Sequence, residues 1–297
     1  MMETAKRTLG GVLLILTAAA FWGAVGPLAK VAFAEGIDPL TVAFWRAVVG
    51  WVFFVSHAAV RRAFSVRRGD VLLLVAFALV SVSGFYGSYQ LAIRFGGAAR
   101  ASVLLYTAPA WVAVMAALFL GERIGARTVV SIVVAMAGVA LISFSRASGG
   151  VTVSDTGPGG VLHWAGIVFG LIAGFTYALY YILGRRLLER YSPITIFSWI
   201  LIIGALGLLP FASLSVPPPR AAGALLFIGS VSTYGAYLVY SKGLLRLRSS
   251  QAAVIATMEP VVAALLAYFF WQEVLGVAGY LGAVLVIGGV VLQSARR

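Results

Sequence analysis

The chain has 297 residues, of which 62% are hydrophobic and 10% charged, with a mean hydropathy of +1.02. Soluble domains of this size carry about 25% charged residues, so water is excluded as the solvent for most of the chain. The absence of cysteine excludes disulfides and thiolate metal sites, and two histidines are too few for a histidine-based metal centre. Neither a metal nor a cofactor is expected.

Apolar runs of 18 or more residues recur along the chain, each long enough to cross about 30 Å of hydrocarbon. An outer-membrane barrel would instead show ~10-residue alternating segments, which are absent. The fold class expected is an all-α polytopic membrane protein. Ten spans fall at 9–34, 39–60, 70–94, 98–120, 127–145, 164–187, 193–212, 220–245, 249–271 and 276–294. The first is too long for the 7–15-residue apolar core of a signal peptide, so it reads as a span. Turn residues mark the breaks, among them Asp38-Pro39, Ser192-Pro193 and the prolines at 217–219.

A repeat organises these spans. Shifting the chain by 151 residues lays 84–141 on 235–292 without a gap, matching Tyr86 to Tyr237, Tyr89 to Tyr240 and Pro109 to Pro260. The same shift matches Glu122 to Glu273, Gly125 to Gly276 and Gly138 to Gly289. Residues 1–145 are therefore expected to form one five-helix repeat, 146–163 a linker, and 164–297 a second repeat.

Lys and Arg set the orientation. With the N-terminus in the cytoplasm, alternate loops place sixteen of them on the cytoplasmic side, including Arg61, Arg62, Arg67 and Arg68, against five on the other. The net charge of +13 is thus explained by topology and not by nucleic acid. Both termini are expected in the cytoplasm. Five spans per half is an odd number, so the second half must enter upside down as an inverted repeat.

The first span carries Trp22, Gly23, Gly26 and Pro27, a candidate kink. Arg46, inside the second, could pair with a carboxylate, although snorkelling outward is favoured. On the third, Ser83, Tyr86 and Gln90 share a helical face, as do Tyr234, Tyr237 and Ser241 on the eighth. Polar stripes facing lipid are costly, so these faces should meet a cavity or a neighbouring helix. Their depths place Tyr86 toward the outside and Tyr237 toward the cytoplasm.

The fourth span offers Tyr106 and Thr107 before Pro109, and the ninth offers Thr257 and Glu259 before Pro260. A helix-interior proline frees a carbonyl one turn earlier, and paired prolines in matching halves point to a binding site near the midplane or to a static kink. Glu259 is the one acid deep in a span. Three roles are open to it: a proton-coupling group, a partner for a substrate ammonium, or a cap on the backbone near Pro260. The sixth span carries Tyr177, Tyr180 and Tyr181, with Gly170 and Gly174 spaced for helix packing. Trp164 begins it, where an interface belt competes with ligand stacking.

Phe21-Trp22-Gly23 followed by Lys30, Asp38-Pro39 followed by Trp45-Arg46, and Pro109 followed by Gly121-Glu122-Arg123 resemble the drug/metabolite transporter superfamily. Met258-Glu259-Pro260 followed by Glu273 repeats the last pattern. The resemblance covers the whole chain and is to the EamA-type ten-helix branch, nearest the YddG-type amino-acid exporters. The second half departs from the pattern in having Gln272 where the first has Gly121.

No G-x-x-x-x-G-K-[ST] motif or nucleophile–base pair is present, so an enzyme is not expected. The expectation is an inner-membrane secondary exporter of small zwitterionic or amphipathic metabolites, most simply amino acids including aromatic ones. It would work by alternating access through a central apolar cavity, with kinks in spans one, four, six and nine. Candidate substrate-binding residues are Trp22, Ser83, Tyr86, Gln90, Tyr106, Trp164, Tyr177, Tyr234, Tyr237 and Glu259, with Pro27, Pro109 and Pro260 as hinges. Partners would be a small-molecule substrate and the lipid bilayer, with protons a candidate co-substrate. The oligomeric state is left open, and a monomer is compatible. A lipid or polyprenyl carrier and a passive channel are the alternatives.

Overall fold

The computed structural model describes residues 2–96, 98–146, 161–272 and 274–295. All regular structure among them is helical, in ten segments long and apolar enough to span a membrane. These are Lys6–Ala34, Pro39–Arg61, Arg68–Phe95, Arg100–Leu120, Ala126–Ser145, Trp164–Leu188, Pro193–Phe211, Pro219–Leu244, Ser249–Phe270 and Val277–Ser294, called spans one to ten. The expected linker over 146–163 lies outside the described residues apart from its ends, and so does Glu273.

Local chemistry explains where the spans start and bend. Span two begins on Asp38, whose carboxylate accepts from Thr41 N at 3.0 Å, with Pro39 in the first helical position. Span seven begins likewise, Ser192 accepting from Thr195 N at 3.2 Å before Pro193. Span one breaks at Ala24, three residues before Pro27. Span four is two helices, Ala98–Leu105 and Ala108–Leu120, and span nine is two helices, Ser249–Ala256 and Glu259–Trp271. The two breaks are 151 residues apart. Each sits where the following proline has no N–H to donate to the preceding turn.

Span six does not follow the expectation of a kink. Val161–Leu188 is one uninterrupted α-helix. It contains glycines but no proline, so no backbone hydrogen bond is forfeited. Its glycines serve packing instead: a Cβ added at Gly170 would lie 2.5 Å from Leu104, and one at Gly174 would lie 2.7 Å from the Leu104 carbonyl.

Spans three and eight each contain one π-helical segment, Leu79–Gly84 and Ser230–Gly235. The 151-residue shift superimposes them end to end. Ser81 and its counterpart Ser232 are fully buried there, and neither hydroxyl has a hydrogen-bond partner. Such segments are rare and gather at functional positions.

The helices form two compact units, one of residues 1–87 with 183–247 and the other of 88–182 with 248–297. Each unit draws on both sequence halves. In the first, spans two and seven run antiparallel: Thr41 accepts from Ser213 N at 2.8 Å toward one end, and Ser198 donates to the Phe54 carbonyl at 3.2 Å further along. Asp70 ties two loops together, accepting from Arg190 Nη1 at 2.7 Å and from the Tyr191 hydroxyl at 2.6 Å. In the second unit, spans five and ten also run antiparallel. A Cβ at Gly138 would lie 2.6 Å from the Gly282 carbonyl, one at Gly289 3.0 Å from the Ser131 carbonyl, and Gly276 N donates to Ser145 Oγ at 2.9 Å. Glycine is needed at 138 and 282 because the two backbones leave no room for a side chain.

Candidate functional site

In the first unit an aromatic cluster forms around span eight. Tyr237 stacks on Phe197 with ring centroids 4.5 Å apart and meets Trp22 edge-on at 5.9 Å. Trp22 also packs on Tyr240 at 5.3 Å. Phe197 continues to Phe54 at 5.0 Å, and Phe54 to Tyr234 at 4.8 Å. Such pairs contribute about 0.5–1.5 kcal/mol each beyond their buried area. Trp22, Tyr86 and Tyr237 are all buried, and the Trp22 indole N–H has no acceptor.

The two tyrosines expected at different depths meet. Tyr86 and Tyr237 share a hydrogen bond between their hydroxyls at 2.9 Å. Arg46 also departs from expectation: it turns inward, placing its guanidinium 4.8 Å from the Tyr86 ring centroid while Nε donates to Thr233 Oγ1 at 3.1 Å. A guanidinium over an aromatic face gains cation–π stabilisation, which snorkelling would forgo. Ser83 does not join this group; its hydroxyl donates to the Gly204 carbonyl of span seven at 2.8 Å. Tyr234 sits at the far end of the aromatic chain, its hydroxyl 2.8 Å from His57 Nδ1.

The second unit holds the acid. Glu259 opens the second helix of span nine, and its carboxylate accepts a hydrogen bond from the buried Tyr106 hydroxyl, which comes from the break of span four. Tyr89 of span three and Tyr177 of span six lie within the electrostatic field of Glu259. Tyr177 is hydrogen-bonded at 3.2 Å to Tyr181, which is also an electrostatic neighbour of Tyr106. Three phenols thus feel one carboxylate, and Tyr181 joins them through Tyr177. An ionised acid at the bilayer centre costs about 2.5–3.5 kcal/mol, and a phenol donor together with the positive end of a helix offsets part of that. Of this group, sequence reasoning named Tyr106, Tyr177 and Glu259 as site residues. It matched Tyr89 only as a repeat position, and it gave Tyr181 no role beyond the aromatic run of span six.

Gln90 follows Tyr89, and its buried Oε1 has no hydrogen-bond partner. Trp164 is 62% exposed at the start of span six, as an interface belt requires and a ligand contact does not. Pro27, Pro109 and Pro260 are buried at their breaks. At the end of span four, Glu122 accepts from Ser249 N at 2.6 Å, Ser250 N at 3.2 Å and Ser250 Oγ at 2.7 Å, so one span's acid satisfies the free amides at the start of another.

Ten apolar spans, two of them broken at matched prolines and one carrying a half-buried carboxylate, define a polytopic membrane protein of the transporter kind. The chain matches the EamA-like transporter family over residues 9–144 and 164–295, and it belongs to that family. An uncharacterized transporter of Archaeoglobus fulgidus is 27% identical over 292 residues, covering 96% of this chain and 97% of its own. The uncharacterized transporter YwfM of Bacillus subtilis is 26% identical, covering 96% of this chain and 94% of its own. A probable terminal-alkyne amino-acid exporter of Streptantibioticus cattleyicolor is 25% identical, with 99% of this chain and 95% of its own covered. A solved crystal structure shares the fold at a TM-score of 0.80 and 17% identity, over 95% of each chain.

Proposed function

We propose that this protein is a secondary exporter of small zwitterionic or amphipathic metabolites, most simply amino acids including aromatic ones, working by alternating access. The observation that carries this reading is Glu259, a carboxylate within a span, held by Tyr106 at paired proline breaks. A protein that only filled the bilayer would have no use for a charge that costs energy there. The amino-acid class is supported by the name of the Streptantibioticus cattleyicolor relative and by a site with a single acid among phenols, which suits a polyanion poorly.

The two halves are proposed to be inverted repeats, residues 1–145 and 164–297. The antiparallel runs of spans two and seven and of spans five and ten support this, since they pair each span with its counterpart head to tail. The excess of Lys and Arg on one set of loops supports an inner-membrane location with both termini in the cytoplasm.

Purified protein in liposomes should show saturable counterflow of labelled amino acids. Glu259→Gln should abolish uptake driven by a pH gradient while sparing counterflow, if protons travel through that carboxylate. Flux that rises linearly with concentration would replace this reading with a passive channel. The lipid-carrier alternative has one observation in its favour, an apolar crevice of about 310 Å³ lined by Arg100, Val103, Leu104, Phe144 and Ile167. Saturable counterflow of amino acids in vesicles of neutral lipid would remove it.

A further inference from the structure

The loop that joins spans two and three lies between two exposed apolar ends. Val60, in the last turn of span two, is 83% exposed, and Leu72, near the start of span three, is 78% exposed. On a membrane span such side chains face acyl chains, so the stretch between them runs at the depth of the lipid headgroups. It carries Arg61, Arg62, Arg67 and Arg68, all exposed, and an exposed Phe64.

Orientation in the membrane accounts for basic residues on this side, but it does not require that they be held in place. Here the loop is pinned. The Phe64 carbonyl accepts from Trp199 Nε1 at 3.2 Å, and Arg67 N donates to the Tyr191 hydroxyl at 3.2 Å. Asp70 is the one acid between 60 and 72, and it accepts from Arg190 and Tyr191, so a cation from another loop already opposes its charge. Arg62 has a left-handed backbone (φ 50°, ψ 38°) at a helix end where glycine is the usual residue. The corresponding loop of the second half, 212–218, contains neither Lys nor Arg, so closing such a turn does not need arginine.

A planar guanidinium matches two oxygens of a phosphate at once, and four basic residues beside a span attract anionic lipid. A zwitterionic headgroup brings its own ammonium and gains less from the same charges. A soluble polyanion would match the arginines and leave Val60, Phe64 and Leu72 unserved, whereas an anionic phospholipid matches both. We infer that residues 60–72 form a docking surface for an anionic phospholipid of the bilayer. Its phosphate meets Arg61, Arg62, Arg67 and Arg68, and its acyl chains lie along Val60, Phe64 and Leu72.

The test uses purified full-length protein in phosphatidylcholine nanodiscs. Phosphatidylglycerol or phosphatidylcholine, brominated near the headgroup end of the acyl chain, is added at equal mole fraction. Bromine quenches tryptophan at short range, and Trp199, hydrogen-bonded to Phe64, reports on the loop. Its share of the emission is read by difference against Trp199→Phe. Brominated phosphatidylglycerol should quench that share about twofold more than brominated phosphatidylcholine, and high salt should shrink the excess. Changing Arg61, Arg62, Arg67 and Arg68 together to Gln should abolish it, whereas Arg220→Gln, at the start of span eight, should leave it intact. Equal quenching by the two lipids in the unaltered protein, which needs no variant to fold, would overturn the docking surface. So would an excess that survives in the four-arginine variant. Loss of the excess on adding soluble polyphosphate well below the lipid concentration would reassign the surface to a soluble polyanion. No transport is measured, so this outcome and that of the exporter reading are independent.

Discussion

The hydroxyls of Tyr86 and Tyr237, 151 positions apart in the chain, share a hydrogen bond of 2.9 Å. Each is the other's counterpart under the repeat. Contact between repeat counterparts is what the proposed inverted repeat would produce if a two-fold axis passed between these two side chains. The π-helical segments Leu79–Gly84 and Ser230–Gly235, just before these tyrosines, obey the same shift.

The bond between these tyrosines should behave as a coupled pair. Tyr86→Phe and Tyr237→Phe should each lower stability by a few tenths to ~1.7 kcal/mol, and the double variant should cost no more than the larger single change. Thermal unfolding of the four proteins in one detergent closes the cycle. Fully additive losses would mean the hydroxyls do not depend on each other.

Gln272 holds the left-handed conformation (φ 54°, ψ 28°) that Gly121 holds at the matching end of span four (φ 64°, ψ 22°). A side chain in that region costs about 1–2 kcal/mol, against ~0.5–1 kcal/mol of extra chain entropy that glycine loses on folding. Gln272→Gly should therefore raise the unfolding midpoint, by the equivalent of about 0.5–1 kcal/mol. Gly121→Ala, made in parallel, should lower it, and a fall in both would show that Gln272 earns its strain through its side chain.

Spans five and ten approach so closely that a methyl group at Gly138 meets the Gly282 backbone. Gly138→Ala and Gly282→Ala should each destabilise by about 1–3 kcal/mol and reduce the yield of monodisperse protein. Gly288 has open space around its missing Cβ, so Gly288→Ala is the matched control and should be tolerated. Size-exclusion profiles of the three variants decide the matter.

Glu122 satisfies the first free amides of span nine. Glu122→Ala leaves those donors without a charged acceptor, a loss of about 1.5–3 kcal/mol for hydrogen bonds of this type. Amide exchange at 249–252 should accelerate in this variant while exchange in span seven stays as it was. Ser250→Ala, which removes only the hydroxyl contact, should produce a smaller effect of the same kind.

Thiol labelling can test the orientation cleanly, since the chain has no cysteine of its own. Arg67→Cys should be reached by an impermeant reagent only from the cytoplasmic face, and Arg220→Cys only from the opposite one. Labelling of both from one side would end the alternating-loop topology.

Much of this architecture was present in the sequence because it depends on properties local to a few turns. Apolar length set the ten spans to within a few residues, Asp38-Pro39 and Ser192-Pro193 started two of them, and the prolines at 109 and 260 placed the breaks. What lies sideways from a helix is another matter. Arg46 could reach outward to water or inward to a ring with equal covalent ease, and only the position of Tyr86 beside it settled the choice. Tyr181 was one of three tyrosines on span six with no assigned partner, and only the fold sets it in the electrostatic surroundings of Tyr106 on span four. Hydropathy and proline act along the chain and can be read from it. The partner of a polar side chain within a bilayer is fixed by which helices are neighbours, and that is decided by close packing across hundreds of residues, at glycines such as 138, 204 and 282, where one backbone admits another.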